Sequence, residues 1–151
     1  MSFGEARVRL AALARDGALE ELCRAAHADG LALMTRTDPV PGWLISSLAL
    51  VRLLEPVSHS GRVNVGLRWE AADLHGDLFT ALDANITLLA RDPGQSLLVL
   101  TGAYRAPAAG SDRAGQGLLG RLATATLGCL ARDIAGALAA DQPGGSAGEG
   151  S

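Results

Sequence analysis

Val63-Asn64-Val65-Gly66-Leu67-Arg68-Trp69-Glu70 decides how this chain folds. Val63, Val65, Leu67 and Trp69 alternate with Asn64, Gly66, Arg68 and Glu70, the period of two that belongs to a strand. One face of such a strand meets a core, and the other meets solvent or a polar site. Downstream, Leu78 to Leu89 reads as a second long strand. There Leu82, Ala84, Ile86 and Leu88 oppose Phe79, Ala81, Asp83, Asn85 and Thr87. Ser96 to Tyr104 reads as a third. The turns between them are Asp73 to Asp77, which contains Gly76, and Asp92-Pro93-Gly94. Three consecutive strands joined by short turns predict an antiparallel meander. Upstream, Leu48 to Pro56 fits a further strand, ended by the turn Ser58 to Gly61.

The period changes after the loop Ala106 to Gly117. From about Gly115 to Ala140 the pattern is helical, with an apolar stripe of Leu118, Leu122, Ala125 and Cys129, then Ile134 or Ala137. A helix of roughly 24 residues is about 36 Å long and can cross the face of a twisted sheet. The front of the chain is less decided. Val8, Leu10 and Ala12 alternate with Arg7, Arg9 and Ala11 as in a short strand, while one helix from Glu5 to Ala28 fits as well. Asp16 is placed to cap a helix whose apolar face is Leu19, Leu22, Cys23 and Ala26, with Glu20, Arg24 and His27 turned outward. Asp29-Gly30 reads as its stop, and Leu31, Leu33 and Thr35 as a short strand or extended link. Asp38-Pro39 and Pro41-Gly42 break the chain next. The predicted fold class is α+β, a curved antiparallel sheet packed on a long C-terminal helix. It forms one domain over residues 1–140, and 141–151 reads as a disordered Gly/Ser-rich tail.

A chain of 151 residues can bury a core without staples. It is 48% apolar, only 19% charged and 3% aromatic, so Leu, Ala and Val carry the packing. A net charge of −3 gives no broad footprint for nucleic acid. Cys23 and Cys129 form no CxxC pair and read as half-buried thiols in a reducing compartment, with a disulfide between the first helix and the last as the alternative. The first ten residues lack the apolar core of an export signal. The apolar run Gly42 to Val51 is too short to span a bilayer. The expectation is a cytoplasmic protein without stable membrane insertion.

Several side chains bear on chemistry. Asp83 and Asn85 share a strand face, which places Asp83 either at a polar site or in solvent. Arg68 and Glu70 share another, from which they could form a surface charge ladder with Asp83, or from which a buried Arg68 could anchor an acidic ligand. Tyr104 ends the third strand, where its hydroxyl could enter a cavity or its ring could close the core. Trp69 lies on the apolar face, and Trp43 beside Pro41-Gly42 is placed for a lid or for the end of the core. His27, His59 and His75 share no ligand spacing, so no metal is expected. The glycines of 110–120 lack the phosphate-loop pattern, and no cofactor is expected.

The segments LRWEAADLHGDLF (67–79), ALDANITL (81–88), LTGAYRAP (100–107) and LARDIAGAL (130–138) resemble the SRPBCC superfamily of START-like, lipid-transport and polyketide-cyclase proteins. The likeness is to its small bacterial members. It runs from about Glu5 to Ala140, and is best over Val63 to Leu138. It implies a helix-grip (START-like, Bet v 1-like) fold with a hydrophobic cavity between sheet and final helix. Residues placed to line it are Trp43, Arg68, Trp69, Asp83, Tyr104, Leu118, Leu122, Ala125 and Cys129. The implied role is binding or carriage of a small hydrophobic or amphipathic ligand. A polyketide cyclase or dehydratase is the enzymatic alternative, and would need an inward pair such as Asp83 with Tyr104 or Arg68. A non-catalytic partner-binding role is the third reading, and a homodimer is left open. The front of the chain departs from the family, with one clear helix and weak strands before Leu48.

Overall fold

The computed structural model describes residues 1–37, 39–40, 48–72, 78–105 and 113–140, with side chains for all of these but 48, 71–72, 78–80, 104–105 and 113–116. Two helices open the chain, α1 (Phe3–Arg15) and α2 (Ala18–Thr35). Five strands follow: β1 (Leu48–Leu53), β2 (Val57–His59), β3 (Arg62–Ala72), β4 (Leu78–Ala90) and β5 (Ser96–Arg105). Helix α3 (Arg113–Ala139) closes the described part. The expected turn Asp73 to Asp77 and the tail 141–151 lie outside the described residues.

The sheet is open and antiparallel, in the order β1-β3-β4-β5, with β2 also paired to β3. Its register carries the alternation from strand to strand. Leu67 is opposite Ala84, Trp69 opposite Leu82, and Ala84 in turn opposite Gly102. Val63, Val65, Leu67, Trp69, Leu82, Ala84, Ile86 and Leu88 are all buried on this inner face. Leu98 and Leu100 of β5 and Ala49, Val51 and Leu53 of β1 pack against the same core. Gln95 donates to the Asp92 carbonyl, so Pro93 and Gly94 form the β4–β5 turn expected from their sequence.

The helices cover that inner face. A Cβ at Gly102 would stand 3.2 Å from both Leu127 of α3 and Leu82, which sets α3 directly over β5. The α2–α3 contact is antiparallel: Asp29 pairs with Arg132, Gly30 meets Thr126, and Leu31 and Met34 cluster with Leu119 and Leu122. Helix α1 adds Ala6 and Leu10 to the core. The predicted α+β class, with an antiparallel sheet covered by one long C-terminal helix, is what the structure shows.

The front of the chain differs from expectation. No strand forms at Val8 to Ala12, because a capping box starts a helix at Phe3: Ser2 Oγ accepts from Glu5 N–H, and Glu5 Oε2 accepts from Ser2 N–H. The Ser2 hydroxyl and the Ser2 N–H, both donating to Glu5 Oε2, hold the Glu5 carboxyl below its ordinary pKa. Asp16 ends α1 rather than starting α2, and Gly17 breaks the chain with a left-handed φ of 78°. Asp29-Gly30 does not stop α2, which runs on to Thr35 and takes in Leu31 and Leu33. Its buried residues Leu19, Cys23, Ala26, His27, Gly30, Leu31 and Met34 keep one helical face throughout.

The span Gly117–Ala139 is long and apolar enough to cross a membrane, at a mean hydropathy of 1.3. In this fold the same helix covers the sheet, with Thr126, Leu130 and Ile134 fully buried in one stripe. A third of its most apolar window is buried in this fold.

Candidate functional site

The inner face of β3 delivers Trp69 to the middle of the interior. The indole is 4% exposed, and its Nε1–H has no hydrogen-bond partner among the described residues. The His27 ring of α2 meets it edge-on, with centroids 5.0 Å apart and planes at 75°. Burial lowers the His27 pKa to about 4, so the imidazole is neutral at pH 7.

One turn along α2, Gly30 meets Thr126 of α3. Thr126 is fully buried, and its Oγ1 also has no hydrogen-bond partner. Thr124, on the exposed side of the same helix, takes the usual course: its hydroxyl donates to the Gly120 carbonyl at 3.1 Å. The Thr126 hydroxyl lacks that local bond and faces the α2–α3 contact. An unpaired buried polar atom costs on the order of 1–3 kcal/mol, and native structures hold few of them. Here two lie on residues that abut the same face of α2, three positions apart.

Apolar groups surround these atoms. On one side lies the main core of Cys23, Ala26, Leu82, Cys129 and Leu130. On the other is the smaller cluster of Leu31, Met34, Leu119 and Leu122. The Cys23 thiol is pushed up to about 12, first by burial and then by the Glu20 carboxylate, and stays protonated. Among the described residues, no Lys, Arg, Asp or Glu is buried, and no three metal-ligating side chains come together.

The other sequence candidates divide. Leu122 and Cys129 are buried on the inward stripe, while Leu118 and Ala125 are half-buried beside it. The stripe keeps Leu122, Cys129 and Ile134 but takes Leu119 and Thr126 in place of Leu118 and Ala125, and adds Leu130 and Leu138. Thr126 escaped notice because a polar residue was not expected at its centre. Arg68 and Asp83 sit on the outer face, opposite each other in register and away from the helices. The Arg68 guanidinium lies 3.1 Å from Glu70 and 3.9 Å from Asp83, with half of its side chain exposed. Tyr104 lies opposite Leu82 along β5, but its side chain is not described, and Trp43 lies outside the described residues.

Clefts lined by described residues open elsewhere. One of about 250 Å³ lies between Met1, Ala6, Leu88, Ser96 and Leu138. Another of about 270 Å³ lies between α1 and the β2–β3 hairpin, with Arg7 and Arg15 among its walls. Cys129 borders a third, of about 220 Å³, in the outer groove between α2 and α3.

Comparison with family models, curated proteins and solved structures finds no match for this chain.

Proposed function

We propose that the protein binds or carries a small hydrophobic or amphipathic molecule between its sheet and its helices, in a helix-grip arrangement of the START-like kind. The observation that carries this reading is the pair of buried, unpartnered polar atoms, Trp69 Nε1 and Thr126 Oγ1, set among apolar side chains. Small-molecule sites are mostly apolar, with a few placed polar groups that orient the guest. A cytoplasmic carrier without metal or cofactor accords with this. An enzymatic role gains less support. Arg68 and Asp83 stand on the outer face, and the Cys23 thiol is held protonated.

Native mass spectrometry of the protein purified from its own host tests the reading. The expected result is a retained mass of a few hundred daltons that denaturation releases. Bare protein in repeated preparations, with no thermal shift from any amphipath in a broad panel, overturns it.

A further inference from the structure

We propose that the cleft between α1 and the β2–β3 hairpin binds a short-chain amphipathic anion, with its carboxylate at the Arg7 guanidinium and its hydrocarbon chain along Val8 and Pro56. This site is separate from the Trp69 and Thr126 atoms and does not depend on the carrier reading.

Place comes first. The cleft measures about 270 Å³. Small-molecule sites run from about 300 to 1,000 Å³, so the guest must be short. Leu10 and Val63 lie at the bottom of the cleft and are buried by the fold itself. Its open part is apolar as well. Val8, at 61%, is the most exposed of the large apolar side chains described, and Pro56 is exposed on the hairpin side. A hydrocarbon chain laid between them takes both out of water, which is favourable in proportion to the area covered.

Charge selects the head. The described walls of the cleft hold two arginines, Arg7 and Arg15, and no Asp or Glu. Eight residues of helix advance about 12 Å, so the two guanidinium groups belong to opposite ends of the same opening. Arg15 is already drawn to Asp16, 4.0 Å away in an exposed pair. Arg7 has no hydrogen-bond or ion-pair partner among the described residues. A guanidinium offers a rigid fork of donors that matches the two oxygens of a carboxylate. Ser58 faces the same side of the hairpin as Val63, its register partner, and brings a hydroxyl that can donate to the same head. A cationic head would be repelled by both arginines, and a neutral one leaves the Arg7 charge without a counterpart.

The test is an amide NMR titration of the whole protein at pH 7 with three probes of one chain length: octanoate, 1-octanol and octylammonium. The expected result is saturable shifts in the amides of α1 and of residues 57–65. Octanoate should bind about fivefold more tightly than 1-octanol, the worth of an exposed ion pair, and octylammonium should bind most weakly. Arg7→Gln should bring the octanoate preference to about unity, and Arg15→Gln should lower it by less. Arg91→Gln, in the β4–β5 turn, should leave it unchanged. Val8→Ser should weaken octanoate and 1-octanol alike. These side chains are exposed, so the variants keep the fold. The shift map of the parent protein needs no variant at all. Equal binding of the three probes, octanoate shifts that map elsewhere, a preference that survives Arg7→Gln, or no binding at millimolar concentration each overturns the proposal. So does a response of α1 to phosphatidylglycerol vesicles with none to octanoate, which would make the cleft part of a membrane-docking surface. The carrier reading is decided separately, by the mass retained in native mass spectrometry.

Discussion

Gly30 and Thr126 bring the two long helices closer together than a side chain at position 30 would allow. A Cβ there would stand 2.6 Å from Thr126 Oγ1, 3.1 Å from its backbone nitrogen and 3.2 Å from its Cα. Alanine is the better helix former by about 1 kcal/mol, but overpacking a tight contact costs about 1–3 kcal/mol. Gly30→Ala should therefore destabilise the protein by up to about 2 kcal/mol net in urea unfolding. Adding Thr126→Ala should recover part of that loss, with a coupling of at least about 0.5 kcal/mol. An alanine at 30 that stabilises the chain would show that the helices are not held at this distance.

Arg9 ties the first helix to the last. Its guanidinium donates to the carbonyls of Leu138 and Ala140, at the C-terminal end of α3. Those carbonyls lack helical partners, and a cation there also suits the helix dipole. Arg9→Met keeps much of the apolar stem and removes the donors. The expected loss is about 1–2 kcal/mol, given the worth of a charged hydrogen bond at a half-buried site. A change below about 0.3 kcal/mol would mean that water replaces the contact at no cost.

His27 makes stability depend on pH. Its pKa falls from 6.5 in the unfolded chain to about 4 in the folded one, because burial disfavours the charged ring. Between those values the unfolded state binds more protons, so stability is full above about pH 6.5 and is lost as pH falls toward 4. From pH 7 to pH 5 this one group should remove about 2 kcal/mol. His27→Gln cannot titrate, so the gap between parent and variant in urea unfolding should narrow by about that amount at pH 5. A constant gap across this range would show that His27 keeps its ordinary pKa.

The charged cluster on the outer face should matter little. Arg68, Glu70 and Asp83 are all partly exposed, and such pairs contribute about 0–1 kcal/mol. Arg68→Ala and Asp83→Asn should each shift stability by less than about 0.5 kcal/mol and leave binding of an environment-sensitive apolar dye unchanged. A tenfold loss of binding in either variant would move the site to the other side of the sheet.

The strands and the final helix were legible in the sequence because a single residue type at a single spacing decides them. The alternation from Val63 to Glu70 puts one face into a core whatever that core contains, and the switch of period after Arg105 can only be met by a helix. The same local logic failed at the front of the chain. Gly30 after Asp29 has the signature of a helix stop, yet α2 passes through it. What calls for glycine at position 30 is Thr126, nearly a hundred residues away, whose approach leaves no room for a side chain. The candidate site divided in the same manner. Trp69 was placed on the inner face by its own strand period. Arg68 and Asp83 could be assigned to solvent only once the helices were known to lie on the other face. Thr126 was hidden, and His27, which reads as outward-facing, is buried, since a helix presents its residues around a full circle and apolar spacing marks the stripe only approximately. Leu118 and Ala125 fit that spacing as well as Leu119 and Thr126 do. Local sequence set the elements and their apolar faces, because steric and hydrophobic periodicity acts over a few residues. Which polar atoms were carried inside without partners was decided by the crossing of α2 and α3 over the sheet, because a buried group's partners come from distant parts of the chain.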